Sequence, residues 1–149
     1  MLQRKQTLWM FLALVCGILT FRFAFYSGNV TVGANGHEFR ELRAWPTYVN
    51  GASGSILILI VTIVLIVGIG YNIFNYKART KQFWITIGLF VISLINILLY
   101  WRASGPPAYV EGTYNLSALL TIAIPVLLVM AARGIRKDDK LVKSADRLR

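Results

Sequence analysis

Apolar residues in this chain come in long, nearly unbroken runs. They do not alternate, and they do not repeat at the spacing of a half-buried helix. Four runs stand out: Leu8 to Tyr26, "LWMFLALVCGILTFRFAFY"; Ile56 to Phe74, "ILILIVTIVLIVGIGYNIF"; Phe83 to Trp101, "FWITIGLFVISLINILLYW"; and Leu116 to Ala132, "LSALLTIAIPVLLVMAA". At 1.5 Å of rise per residue, ~19 helical residues reach about 28 Å, close to the hydrocarbon thickness of a bilayer. The Val, Ile and Leu of the second run also suit a buried strand, but its length and the lack of further strands to close a barrel select a helix. The pattern predicts an all-α integral membrane protein, a four-transmembrane-helix bundle forming one domain over residues 1–149.

The polar stretches between the runs differ in length. Asn75 to Gln82 is short and makes the second and third helices antiparallel neighbours. Residues 27–55 are longer; Val30 and Val32 alternate with polar residues and "GANG" accepts positive φ, so a small β-hairpin is predicted there. The other loop on that side, "RASGPPAYVEGTYN", is Pro/Gly-rich and is expected to be irregular. No internal repeat marks two related halves.

Composition agrees with membrane insertion: 56% of residues are hydrophobic, 15% charged, and mean hydropathy is +0.60. Net charge is +10, yet the bases sit in clumps between the runs, a topology pattern and not a nucleic-acid surface. Twelve bases flank one side of the runs and four (Arg22, Arg40, Arg43, Arg102) the other, so both termini are expected in the cytoplasm. Aromatic residues fall at the run ends: Trp9, Tyr76 and Trp84 inside, Tyr26, Tyr100, Trp101 and Tyr114 outside, as an interfacial belt requires. The first run lacks a small-x-small cleavage pattern and is read as an uncleaved helix.

Candidate chemistry is sparse. One cysteine, Cys16, excludes an intramolecular disulfide, and one histidine, His37, excludes a Cys/His metal cluster; no cofactor is expected. Arg22 lies one turn from the outer end of its run, where it snorkels to headgroups more readily than it holds an anion. Asn72 and Asn96, with Ser93 one turn before the latter, either line a path or bond across helices, and packing is the commoner use. Pro125 frees the Thr121 carbonyl and is expected to kink the fourth helix. Gly68, Gly70 and the pair Ala13 and Gly17 permit close helix approach. His37, Glu38 and Glu41 suggest an acid/base or metal site, but beside Arg40 and Arg43 a solvated ion-pair cluster is favoured. There is no Gly-rich phosphate loop and no nucleophile elbow.

The tail, residues 133–149, is different in kind. In "RKDDKLVKSADRLR", Leu141, Ala145 and Leu148 make a narrow apolar stripe flanked by Val142, and Asp139–Lys143 and Lys143–Asp146 are helical charge pairs. An amphipathic cytoplasmic helix is predicted over Lys137 to Leu148, facing the bundle or the inner membrane surface. Asp138, Asp139 and Asp146 are the only acids among the twelve bases. They are expected to pair with Arg4, Lys5, Arg79 or Lys81.

At these residues the chain resembles a family. "MLQRKQTLWMFLA", "NIFNYKARTKQ" and "IRKDDKLVKSADRLR" are similar to the four-span membrane proteins of Bacteroidota grouped as domain of unknown function 4293, along essentially the whole chain. Gln3 and Arg4 match at the start, Lys77, Arg79 and Gln82 in the inner loop, and Asp138, Leu141, Val142, Ser144, Ala145, Asp146, Arg147 and Leu148 in the tail. The resemblance implies a bacterial inner membrane and brings no activity with it. All the matching segments lie on the side read as cytoplasmic. These residues apart from Ala145, together with Asp139, are the expected contact surface for other membrane proteins or a cytoplasmic partner, besides the lipid bilayer itself. The expected function is that of a non-enzymatic scaffold or accessory subunit. The alternative is a small oligomeric transporter or channel with Arg22, Asn72 and Asn96 along its path.

Overall fold

The computed structural model describes residues 3–32, 36–44, 54–75, 78–105, 109 and 111–146. Four helices, α1 (Gln3–Arg22), α2 (Gly54–Phe74), α3 (Arg79–Ser104) and α4 (Leu116–Asp146), pack as a bundle. Three strands, β1 (Tyr26–Val32), β2 (Gly36–Leu42) and β3 (Glu111–Tyr114), cover one end. We call the strand end outer and the opposite end inner. Around the bundle α1 touches α2 and α4, and α3 touches both as well.

Three helices contain stretches long and apolar enough to cross a membrane: Ile56–Phe74, Arg79–Ser104 and Leu116–Asp139. The apolar part of α1, Gln6–Arg22, is shorter. The first run was expected to stay helical to Tyr26; α1 instead ends at Arg22. Backbone pairing explains the stop. The Phe25 N–H donates to the Leu42 carbonyl (2.7 Å) and the Phe25 carbonyl accepts from Asn115 N–H (3.0 Å), so strand-like bonds replace the next helical turn. Arg22, at the helix C-terminus, is exposed and carries a charge of the sign favoured there.

The core has two parts, one along the bundle and one under the strands. Met10 and Ala13 of α1, Leu65 and Ile69 of α2, Leu89 of α3, and Ile124, Leu128, Ala131 and Ile135 of α4 meet inside the first. Many other large apolar residues of the helices point outward, among them Ile60, Val67, Leu98 and Val126. A bundle greasy on its outside as well as its inside is what a lipid surrounding requires. Gly17 lets Ile66 approach α1, and Gly68 lets Leu89 approach α2; Gly70, expected to do likewise, faces open space. Pro125 sits buried within a continuous α4, and Thr121 Oγ1 bonds back to the Ser117 carbonyl (3.0 Å).

The predicted hairpin is β1 with β2, antiparallel from Tyr26↔Leu42 to Val32↔Gly36; its turn lies outside the described residues. The second outer loop, expected to be irregular, supplies β3, which pairs with the other edge of β1 in the order β2-β1-β3. Sequence periodicity was blind to this strand because all four of its residues are exposed. What places it is backbone proximity. Gly28 and Gly112 face each other, and a Cβ on Gly112 would lie 2.6 Å from the Tyr26 ring and 2.8 Å from the Gly28 Cα. Tyr26 and Tyr100, expected at the membrane interface, are buried in an aromatic cluster instead. Phe25 stacks on Tyr100 at 4.5 Å, and Tyr26 meets Tyr109 and Tyr114 edge-on at 5.2 and 5.0 Å. Rings at the outer helix ends have one another and the sheet to pack on, which outweighs the interface. Trp84 and Trp101 remain exposed at opposite ends of α3.

Candidate functional site

The inner ends of the helices carry the polar residues that the tail and inner loop brought to notice. α4 does not stop where its apolar run stops. It continues as one helix to Asp146, and its buried face, Ile124, Leu128, Ala131, Ile135, Asp138, keeps a three-four spacing past the apolar run. That face lies on α1. Gly134 lets the Gln6 side chain come close to α4: a Cβ there would sit 2.8 Å from the Gln6 Cγ. The Gln6 side chain, held in this gap, donates its Nε2–H to Asp138 Oδ2, and both residues are buried. On the other flank the Arg136 guanidinium lies over the Phe83 ring, 5.0 Å from its centroid, fastening α4 to α3.

A second polar group lies one layer deeper. Gln82 of α3 donates Nε2–H to the Asn72 main-chain carbonyl (3.2 Å), which also accepts from Asn75 N–H (3.2 Å) at the C-terminal end of α2. Asn72 Nδ2–H donates to Thr86 Oγ1 (2.8 Å), which donates to the Gln82 carbonyl (2.7 Å). Both side-chain amides are 3.9 Å from Met10 Sδ. Asn72 Oδ1 has no hydrogen-bond partner among the described residues. The short inner turn is therefore stitched by neutral amides and hydroxyls.

The expected surface residues separate into three groups. Gln82 and Asp138 are buried within the bundle. Among the described side chains Asp138 is paired with the neutral amide of Gln6; of the bases expected beside it, the Arg4 and Lys5 side chains lie outside the described residues, and a Gln one helical turn before Met10 on the same face was the available signal. Asp139, on the next position, is half-buried, and Arg79 opens α3 partly exposed. Leu141 and Val142 were expected to dock against the bundle or the inner membrane surface. They do not pack on the bundle: Leu141 is 47% and Val142 41% exposed, and Ser144 is exposed too. The cause is length: α4 runs two turns past Asp138, while α1 has only Gln3 to Lys5 before Gln6. Gln3 and Arg4 lie in the first turn of α1 and Asp146 ends α4; Lys77, Arg147 and Leu148 lie outside the described residues.

The polar residues expected within the spans do not form one path among the described residues. Asn96 is buried against Thr62 of α2, Nδ2 to Oγ1 3.3 Å, and Ser93 Oγ bonds back to the Phe90 carbonyl (2.6 Å). Asn72 belongs to the inner group, and Arg22 is at the outer end. In the outer hairpin Glu38 pairs with Arg40 (2.8 Å) and Glu41 with Arg43. Strand alternation turns His37 and Glu41 to one face of the sheet and Glu38 to the other, so the three do not converge. Among the described residues no group of three His, Cys, Asp or Glu side chains is placed to hold a metal.

The fold defines a helical bundle with three helices of membrane-crossing length and a three-stranded cap. The chain belongs to the family described as Domain of unknown function (DUF4293), whose model matches residues 2–148. Neither a curated protein nor a solved structure matches the chain.

Proposed function

We propose that the chain is a non-enzymatic, multi-pass protein of a bacterial inner membrane, with α1 to α4 all crossing and both termini cytoplasmic. Its role is that of a scaffold or accessory subunit, and its contact surface is the last two turns of α4. The observation that carries this reading is the change along one helix. Ile135 and Asp138 are locked against α1, while Leu141 and Val142 project past the bundle with their apolar surface uncovered. A projecting apolar pair, set in a charged stretch of sequence and held on an anchored helix, is a shape suited to another protein. Membrane adsorption alone would favour bases without the acids Asp138, Asp139 and Asp146. The transporter alternative has less support, because Asn72 and Asn96 are each engaged by a neighbouring hydroxyl in the bundle.

Gentle extraction of a tagged native copy, followed by identification of co-purifying proteins, tests the role. Leu141→Asp with Val142→Asp should keep the bundle folded and lose the partner; an unchanged set of co-purifying proteins refutes the surface. Orientation is tested with Ser144→Cys in a Cys16→Ser background. Labelling of that cysteine from outside intact cells overturns the topology.

A further inference from the structure

The sheet at the outer end has an open side. β2 is an edge strand: β1 occupies one flank, and among the described residues no strand pairs with the other. Such an edge presents N–H and C=O groups that bond a further strand. Gly36, His37, Glu38 and Phe39 are all exposed, and Phe39 is 68% exposed on a sheet face that carries no other large apolar residue of β2.

The order of residues along β2 says what fits. "HEFRE" reads with opposite charges about its centre: Glu38 and Arg40 flank Phe39, and His37 and Glu41 flank those. Lay a second β2 antiparallel with Phe39 opposite Phe39. Glu38 of each copy then stands opposite Arg40 of the other, and His37 opposite Glu41. The Glu38–Arg40 pair already formed within each strand (2.8 Å) is kept, and two such pairs close into a four-charge ring of alternating sign. On the other face the two Phe39 rings meet at the dyad. A shift by one residue would put Phe39 opposite a charge and lose every pair, so the register is specified.

We propose that two copies of this chain associate through β2, edge to edge, into one six-stranded antiparallel sheet. The geometry suits two molecules in one membrane. The twofold axis of an antiparallel strand pair is perpendicular to the sheet. Here the face bearing Tyr26, Val30 and Leu42 is turned to the outer helix ends, against Ile58, Tyr100 and Ala118. The axis therefore runs along the bundle, and both copies insert in the same direction.

The test uses the full chain in phospholipid nanodiscs with Cys16→Ser as background. On mild oxidation Phe39→Cys should link two copies, because opposed Cα atoms in an antiparallel pair are about 4.5–5.5 Å apart, within disulfide range. His37→Cys is the control: its copy-related residue is displaced by four positions, roughly 14 Å, and should link at least about tenfold more slowly. In the otherwise native protein, Glu38→Arg puts four cations at the dyad and should raise the dimer Kd about tenfold; Glu38→Arg with Arg40→Glu restores alternation and should return it to within about twofold. Equal linking at 37 and 39, or a swap without rescue, overturns the proposal. So does a single subunit per particle at every concentration, whether residues 45–53 cover the edge or another protein takes it.

Discussion

The two ends of the bundle are closed by different chemistry. At the outer end Phe25, Tyr26, Tyr100, Tyr109 and Tyr114 stack and cross over one another under a three-stranded ladder. At the inner end the closing groups are few and polar: Gln6 to Asp138, Arg136 over Phe83, and the Gln82, Asn72 and Thr86 chain. Aromatic packing spreads its energy over large areas and tolerates the loss of one hydrogen bond. A buried amide and carboxylate concentrate theirs in one contact, and removal of either partner leaves the other unsatisfied. The outer end is thus a cover, and the inner end a latch that sets how far α4 projects.

The largest effect is expected at the cover. Tyr100→Ala removes a fully buried ring and its stack on Phe25, and should lower stability by about 3–5 kcal/mol, read as the thermal midpoint in detergent, with the inner latch still formed. A smaller loss at Tyr100 than at the latch would reverse the contrast. Next comes Asp138→Ala. It strands the Gln6 amide and should cost about 1–3 kcal/mol, with faster hydrogen exchange over the last turns of α4. Replacing both partners, Gln6→Leu with Asp138→Leu, should recover most of that loss, since no buried polar group is then left alone; a double variant as unstable as the single one would show that packing at Gly134, not the hydrogen bond, holds the helix.

Midway between the ends, Asn96→Leu tests whether polar pairing inside the bundle matters as it does at the latch. Loss of the Thr62 bond should cost only about 0.6 kcal/mol, measured by unfolding in mixed micelles. A much larger loss would give Asn96 a role beyond packing. The smallest effect is confined to alkaline pH. Burial holds the Tyr109 hydroxyl above its ordinary value, with Arg40 opposing and Tyr26 and Glu41 adding to the rise. The raised value means that the folded cover favours the protonated phenol. Its contribution is intact below about pH 10 and is lost as pH rises through the folded value. Tyr109→Phe should flatten that loss in near-ultraviolet circular dichroism of the cover, leaving the latch unmoved.

Much of this was written in one dimension. The uninterrupted runs from Ile56, Phe83 and Leu116 determined three long helices, because apolar length and backbone self-satisfaction leave few other solutions. Val30 and Val32, alternating with polar residues, determined the hairpin strands, and the tail's composition determined that α4 would go on past its run. Only the tertiary structure decided the rest. Phe25 left the helix because Leu42 and Asn115 offered it strand bonds. β3 exists because Gly28 and Gly112 let two backbones close, a fact with no hydrophobic period to announce it. Asp138 found Gln6 because α1 and α4 pack together at Gly134, and Leu141 stayed off the bundle because α4 runs on past Asp138. Local propensity and hydropathy act residue by residue and can be read along the chain. Which partner a buried polar group finds, and where a helix outlasts its neighbour, depends on the relative placement of segments more than a hundred residues apart.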